Sequence, residues 1–470
     1  MIKQEFSKYL KQQFAHVLTR GQDLLCEQIS DFIYSNEKRR LFVLKGYAGT
    51  GKTTAVSALV KSLPAIKCKT VLLAATGRAA KVLSNYSKKQ ALTIHKKIYR
   101  RQISGGVEKF VLQQNLHTNT VFIVDEASMI SNAYSEFSGN GSLLDDLFEY
   151  VYSAENCRLI FVGDTAQLPP VGLSISPALD EKYLEKNYSL KIDSIELTEV
   201  VRQDEDSGIL HNATLIRNLI QKEIETKPRF DLDDYKDIIR INGTELEDAL
   251  NDSHSRNGAE ETMVICRSNK RANIYNQQIR TRIRYQEEEI SSGDYMMVVK
   301  NNYHWLPEES KAGFIANGDI FRLSKIGGEI ERYGFRFADV RVNLIDYPDE
   351  PELECKILLD TITSESPSMN SEDNKKLYYA VLEDYKHISN KRERMDAVKK
   401  DAFFNALQVK FAYAVTCHKA QGGQWQTVFV EQGYLTDDMI NIEYLRWLYT
   451  ALTRATKKLY LVNFNNDFFR

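Results

Sequence analysis

Short apolar runs recur along the chain between longer stretches with helical spacing. Leu41–Leu44, Val71–Leu73, Val121–Val124 and Leu159–Val162 come first, then Met263–Cys266, Thr427–Val430 and Leu459–Val462. Strands buried on both faces of a parallel sheet read as such continuous runs, because neither face alternates with solvent, and the helices between them are the crossovers. Four runs before residue 200 and three after 260 predict two α/β lobes.

Two segments interrupt this rhythm. Within residues 96–119, Tyr99-Arg100-Arg101-Gln102-Ile103 and Val107-Glu108-Lys109-Phe110-Val111-Leu112 flank Ser104-Gly105-Gly106, which predicts a protruding β-hairpin. Residues 286–407 form a long insertion into the second lobe. Its first part is strand-like, with turn signals at Asn317-Gly318-Asp319 and Gly327-Gly328. Its second part, roughly Glu372–Leu407, is charged with apolar residues at helical spacing.

Composition narrows the class. A chain of 470 residues, 43% hydrophobic and 27% charged, is an ordinary globular protein of about three or four domains. Its 62 Lys and Arg nearly cancel 64 Asp and Glu, so any affinity for nucleic acid must come from a local basic groove. Cys26, Cys68, Cys157, Cys266, Cys355 and Cys417 are scattered without a C-x-x-C pair, which argues against a zinc site and a disulfide framework and suits a reducing cytosol. The N-terminus lacks a signal-peptide core, and no apolar run approaches the ~20 residues of a membrane span. The expected location is cytoplasmic, with no membrane partner.

The chemistry starts at residues 46–53, Gly-Tyr-Ala-Gly-Thr-Gly-Lys-Thr, which fit G-x-x-x-x-G-K-[ST] between a strand and a helix. In such a loop the backbone N–H groups curl inward around phosphate oxygens at the positive end of the helix. Gly46, Ala48, Gly49, Thr50, Gly51, Lys52, Thr53 and Thr54 are therefore read as the nucleotide cradle. Lys52 reaches the terminal phosphates and Thr53 ligates Mg²⁺. The run Val121–Val124 delivers Asp125 and Glu126 to the carboxyl end of a strand, where open α/β sheets bind ligands. Asp125 is read as a Mg²⁺ ligand and Glu126 as the base for the attacking water. Leu159–Val162 leads to Gly163-Asp164 and then to Gln167, whose amide could sense a γ-phosphate from a loop stiffened by Pro169-Pro170. Arg202 near the lobe junction and Arg454 in the second lobe are candidates to stabilise the transferring phosphoryl across a cleft.

These blocks, in this order, resemble the superfamily 1 helicases, specifically the 5′→3′ branch that includes RecD and Dda. The resemblance runs from residue 18 to 462, and Lys-Ala-Gln-Gly at 419–422, the short hairpin and the Asn-Gly turn of the insertion place it nearer the Dda type. Leu18-Thr19-Arg20-Gly21-Gln22 is similar to the branch's adenine-recognition motif, which implies that Gln22 reads the adenine edge. Ala75–Ala80 looks like motif Ia and Thr93-Ile94-His95 like motif Ib, which implies nucleic-acid contacts from Thr76, Gly77, Arg78 and His95. Val415–Gly422 is similar to motif V, which implies strand contacts from Thr416, His418 and Lys419, with Gly422 on the nucleotide side; Tyr449–Ala455 resembles motif VI. The chain departs from the pattern at Ala74-Ala75-Thr76, which lacks the family's usual proline, and at Gly423-Gln424-Trp425.

The resemblance implies two RecA-like parallel-sheet lobes, with a hairpin insertion in the first and an SH3-like β insertion in the second. The implied boundaries are 1–95 and 120–198 for the first lobe, 96–119 for a strand-splitting pin, 199–285 and 408–470 for the second lobe, and 286–407 for the SH3-like insertion with its helical extension. Phe110 or Tyr99 would present a stacking face for a base. Trp305 is either a second platform or a core tryptophan. The implied activity is ATP- and Mg²⁺-dependent 5′→3′ unwinding of DNA on single strands and duplex forks, as in repair, recombination or replication. Single-strand-binding or nuclease proteins would be separate chains. Two alternatives stay open: an RNA or RNA–DNA hybrid track, and an ATP-switched clamp that does not unwind.

Overall fold

The computed structural model describes residues 1–104, 107–134, 141–201, 207–233, 235–307, 310, 312 and 314–470, with 101–104 and 107–110 described by their backbone only. Arg202 and the Phe110 side chain thus lie outside the described residues.

The strands in chain order are β1 (Arg40–Gly46), β2 (Lys69–Ala74), β3 (Ala91–Thr93), β4 (Tyr99–Ser104), β5 (Val107–Leu112), β6 (Thr120–Asp125), β7 (Cys157–Gly163), β8 (Lys191–Leu197), β9 (Ile238–Ile241), β10 (Thr262–Cys266), β11 (Tyr295–Val298), β12 (Ile320–Arg332), β13 (Phe335–Leu344), β14 (Leu353–Leu358), β15 (Leu407–Phe411), β16 (Ala414–Thr416), β17 (Trp425–Glu431) and β18 (Ala455–Val462). The first lobe is a parallel sheet in the order β3-β2-β6-β7-β1-β8. The second is a parallel sheet in the order β16-β10-β17-β18-β9.

All seven apolar runs fall in strands of these two sheets. In β6 and β7, Val121, Phe122, Ile123, Val124, Leu159, Phe161 and Val162 are fully buried. Each such side chain contributes about 1.5–3 kcal/mol, so both faces of the sheet must be covered by helices. One apolar cluster fills each face of the first sheet. Parallel pairing aligns Ala74 with Asp125 and Lys45 with Gly163. The carboxyl ends of β1, β2, β6 and β7 therefore meet at one edge, where the phosphate loop sits.

The hairpin β4–β5 pairs antiparallel from Tyr99↔Leu112 to Ser104↔Val107. The insertion is a closed barrel, β11-β12-β13-β14-β15. Its fifth strand, β15, extends past the expected boundary at residue 407, so the barrel reaches Phe411. Barrel and second lobe share one core, in which Met296, Val298 and Phe411 pack with Val264, Cys266 and Phe429. The helical extension comprises helices Ser371–Asp384 and Lys391–Lys400 over a separate cluster around Phe337 and Val381.

Gly327-Gly328 is not a turn. It lies inside β12, where the register with β13 shifts between Ile326 and Glu329, and the hairpin turns instead at Tyr333-Gly334, both at positive φ. Glycine pairs serve bulges as readily as turns. A Cβ at Gly327 would stand 3.0 Å from the Asp339 carbonyl oxygen, so the bulge brings two backbones together. Trp305 is half-buried against the barrel core, and its indole N–H donates to the Asn405 carbonyl at 2.8 Å. Among the described residues no helix is long and apolar enough to cross a membrane.

Candidate nucleotide site

The loop after β1 turns through Gly49 (φ 75°) and Gly51 (φ 83°) into helix Lys52–Ser62. Only glycine adopts that backbone cheaply. Thr50 folds its hydroxyl back onto the Tyr47 carbonyl at 2.8 Å, and Lys52 Nζ donates to the carbonyls of Gly46 and Tyr47 at 2.7 and 2.8 Å. Gln22 is buried beneath the loop. Its Nε2 donates to the Thr50 carbonyl at 3.3 Å and its Oε1 accepts from the Thr19 N–H at 3.2 Å, while a Cβ at Gly51 would meet Nε2 at 2.3 Å. Gln22, expected to read the adenine edge, thus bonds the underside of the phosphate loop.

The cleft above the loop encloses about 910 Å³ and is lined from both lobes. Thr53, Thr54, Asp125, Glu126, Asp164 and Gln167 face it from the first lobe, Gly422 and Arg454 from the second. Asp125 accepts hydrogen bonds from Tyr86 and from the Glu126 N–H. Glu126 sits at φ 51°, ψ 40°, a left-handed conformation that costs a non-glycine residue about 1–2 kcal/mol. Strain of this kind collects where a side chain must be aimed. Burial lifts the Glu126 carboxyl above the ordinary carboxylate range, opposed by the nearby Arg454 guanidinium and reinforced by Asp125. Arg454 Nη1 stands 3.8 Å from Glu126 Oε1, reaching across the cleft while Nε and Nη2 bond the Thr450 carbonyl and Thr453 Oγ1. Gln167 is buried, and its Oε1 has no hydrogen-bond partner among the described residues.

Among the described residues no three His, Cys, Asp or Glu side chains converge as a metal cage. The donors present, one carboxylate (Asp125) and one hydroxyl (Thr53), are hard oxygens. They fit Mg²⁺, which takes one or two protein ligands and completes its shell with phosphate and water.

The AAA domain family matches residues 18–227, and the UvrD-like helicase C-terminal domain family matches residues 411–462. One family therefore covers each side of the cleft. The ATP-dependent DNA helicase dda of Enterobacteria phage T4 is 25% identical over 84% of this chain and 88% of its own length. These matches support a superfamily 1 helicase of the RecD/Dda type. Protein R530 of Acanthamoeba polyphaga mimivirus is 25% identical over 93% of this chain and 98% of its own. A solved Pif1 helicase from Bacteroides, in complex with ADP-AlF3 and ssDNA, superposes with a TM-score of 0.47 at 16% identity, covering 97% of this chain and 95% of that one.

In this chain the motif Ia and motif V segments meet. A Cβ at Gly422 would lie 2.8 Å from Ala79 Cβ and 3.1 Å from Thr76 Oγ1. Thr76 caps helix Gly77–Ser87, with its hydroxyl accepting from the Ala79 N–H at 3.2 Å. Arg78 stacks on Trp425 at 4.7 Å, donates to the Gln424 carbonyl at 3.3 Å and lies 4.0 Å from Asp346 of the barrel. Gly77 abuts the barrel too, since a Cβ there would meet Asp319 Oδ1 at 2.6 Å. His95 packs between Tyr99 and Phe314, and burial pushes its pKa down to about 4, so its imidazole is neutral. Thr416 ends β16, and His418 and Lys419 lie in the short helix that follows, Cys417–Ala420. Lys419 Nζ is buried with no hydrogen-bond partner among the described residues, and its pKa is pushed down to about 8 by burial and by Lys410.

Sequence reasoning missed the residues that join the lobes. Arg446 Nη1 donates to the carbonyls of Thr165 and Gln167, the Leu168 N–H donates to Thr450 Oγ1 at 2.9 Å, and Gln421 Nε2 donates to the Leu168 carbonyl at 2.6 Å. Tyr449 hydrogen-bonds Asp164 and the Ala48 N–H. The signal was present in the helix leading into the motif VI stretch, where Arg446, Tyr449 and Thr450 share one face of helix Ile442–Leu452 at helical spacing.

Proposed function

We propose that this chain is an ATP- and Mg²⁺-dependent DNA helicase that moves 5′→3′ along single strands and displaces the complementary strand at a fork. The observation that carries the reading is Arg454 from the second lobe standing 3.8 Å from Glu126 of the first, over the phosphate loop. Glu126 is the base that takes the attacking water's proton, held by burial at a raised pKa suited to that task. Lys52 and Arg454 stabilise charge developing on the transferred phosphoryl, and Gln167 offers it an amide N–H donor. Mg²⁺, held by Thr53 and Asp125, supplies further neutralisation of the phosphate charge. The loop amides of Gly46–Thr54 bind the phosphates and Gln22 reads the adenine edge; Gly422 lies where closure is felt.

Residues 1–95 and 120–198 are assigned to the first lobe, 96–119 to the pin, 286–411 to the barrel insertion, and 199–285 with 412–470 to the second lobe. Thr76, Gly77, Arg78, His95, Thr416, His418 and Lys419 line the strand path, whose phosphate contacts bind any sequence. The DNA track is supported by the T4 relative, an ATP-dependent DNA helicase.

The test is strand displacement from partial duplexes carrying a 5′ or a 3′ single-stranded tail, made of DNA or RNA. Displacement with ATP from the 5′-tailed DNA alone is the expected result. Displacement from the 3′ tail would overturn the polarity, preference for RNA would overturn the track, and hydrolysis without displacement would make the chain an ATP-switched clamp.

A further inference from the structure

The second lobe grips the phosphate loop at three consecutive residues. The Tyr47 ring lies under the Arg217 guanidinium at 4.6 Å, and its hydroxyl accepts from Gln221 Nε2 at 2.6 Å. The Gly49 carbonyl accepts from the Val201 N–H at 3.0 Å, and a Cβ on Gly49 would meet Leu210 at 3.0 Å. Between them, the Ala48 N–H donates to the Tyr449 hydroxyl at 2.8 Å, and that hydroxyl donates to Asp164 Oδ2 at 2.7 Å. Asp164 is buried at 1% exposure, takes the Ala166 N–H on Oδ1 at 2.9 Å and has Lys52 Nζ 4.0 Å from Oδ2.

We infer that Tyr449 is a positioning residue that transmits lobe closure to the phosphate loop through Ala48 and to Lys52 through Asp164. The inference rests on the ATPase reading of the cleft. A phenol has one proton and an acceptor oxygen, and here the proton goes to a carboxylate while the oxygen takes a loop amide. Burial and the Asp164 charge hold the Tyr449 pKa far above its ordinary value, so the hydroxyl stays a donor. Both bonds cross between the lobes, so parting the lobes breaks both at once. Among the described residues Asp164 then keeps only the Ala166 amide, and it competes with the nucleotide for Lys52. When the lobes close, Tyr449 shares the Asp164 charge, and Lys52, held there by the Gly46 and Tyr47 carbonyls with Asp164 4.0 Å away, is freer to turn to the phosphates. The strand that closes the lobes thereby switches the lysine on.

Tyr449→Phe removes the hydroxyl and keeps the ring that packs in the core. Losing a hydrogen bond to a charged partner should lower single-strand-stimulated kcat about tenfold or more. Affinity for a fluorescent ADP analogue in DNA-free protein should shift by less than about threefold, because the bonds form only on closure. The Tyr449→Phe/Asp164→Asn double variant should lose no more than Asp164→Asn alone, as expected of residues in one relay. The inference is overturned by stimulated kcat that stays within about twofold of wild type, by parallel loss of ADP affinity and kcat, or by additive losses in the double variant. Hydrogen exchange at the Ala48 amide gives a second readout. Single-stranded DNA without nucleotide should slow it in the wild-type chain and not in Tyr449→Phe; equal exchange in the two proteins would also overturn the relay. A wild-type chain without DNA-stimulated hydrolysis would sink the ATPase reading, while the Ala48 exchange comparison would still decide the relay.

Discussion

Gly422→Ala tests whether the observed approach of the two lobes belongs to the working cycle. The substitution has two separable costs. Gly422 has φ 73°, a left-handed backbone that costs alanine about 1–2 kcal/mol whether the lobes are together or apart. The added methyl would also stand 2.8 Å from Ala79 Cβ and 3.1 Å from Thr76 Oγ1. Carbon atoms rest at about 3.5–4.0 Å, and Ala79 has no rotamer through which to retreat. The lobes must give way instead, at about 1–3 kcal/mol charged only to their closed arrangement. With each 1.4 kcal/mol worth about tenfold, strand-stimulated kcat/KM should fall roughly tenfold to a hundredfold. The backbone cost should lower the melting temperature by only a few degrees, about 2–4 °C per kcal/mol in a domain of this size. Steady-state ATPase with and without a single-stranded oligonucleotide, paired with thermal melting, separates the two effects. Wild-type stimulation at a lowered melting temperature would refute the reasoning, because the hydrolytic state would then never bring Gly422 onto Ala79.

Lys52→Ala should abolish ATP hydrolysis and leave the far-UV spectrum and melting temperature close to wild type; near-normal turnover would exclude Lys52 from the phosphate grip. Glu126→Gln should bind nucleotide and DNA yet hydrolyse very slowly. The wild-type acid limb of kcat against pH should inflect above the ordinary carboxylate range, since burial raises the Glu126 pKa and the base works only once deprotonated. An inflection at or below that range would remove Glu126 as the base. Lys419, at about 8, is charged below that pH and loses its charge above it, so single-strand affinity should weaken as pH rises through 8. Lys419→Gln should flatten that dependence and reduce the slope of log affinity against log salt by about one, and an unchanged salt slope would take Lys419 off the phosphate path. Replacing residues 100–111 by a short Gly-Ser turn should preserve strand-stimulated ATPase and remove most unwinding of a 5′-tailed fork. Surviving unwinding would show that hairpin β4–β5 is not the pin.

What the sequence made legible was whatever a local stretch states by itself. The buried central strands announced themselves because both faces are covered. Edge strands did not: β8, Lys-Ile-Asp-Ser-Ile-Glu-Leu, mixes polar and apolar residues because only part of it is buried, and β9 has four residues. The phosphate loop, the Asp125-Glu126 pair and Arg454 were legible because their chemistry is written in adjacent residues. Tyr86, which bonds Asp125, and Tyr449, whose partner Ala48 lies 401 positions away, were not, because a tyrosine on an apolar helix face reads as core until the fold supplies its acceptor. Gly327-Gly328 misled for a related reason: the same dipeptide serves a bulge or a turn, and pairing with β13 decides which.

Besides the bonds to the phosphate loop, four side chains of the second lobe bond one short stretch of the first, which bears on the cycle. Arg446, Gln421, Thr450 and Tyr449 of the second lobe all bond residues 164–168, the segment between the buried end of β7 and Pro169. Gln167 sits near its C-terminal end with a buried Oε1 that has no hydrogen-bond partner among the described residues. One end of the segment is fixed in the first sheet, and its backbone carbonyls are held by the second lobe. Any rotation of the lobes must therefore move Gln167 relative to the phosphate loop. Each of these bonds is worth about 1 kcal/mol net, and a few together give closure a preference of about tenfold to a few hundredfold. A preference of that size can be reversed by gaining or losing contacts to a terminal phosphate. These bonds lie beside an apolar contact, in which Tyr47, Ala166 and Leu168 of the first lobe pack into the core of the second. Polar bonds to a segment tethered on both sides carry closure to Gln167.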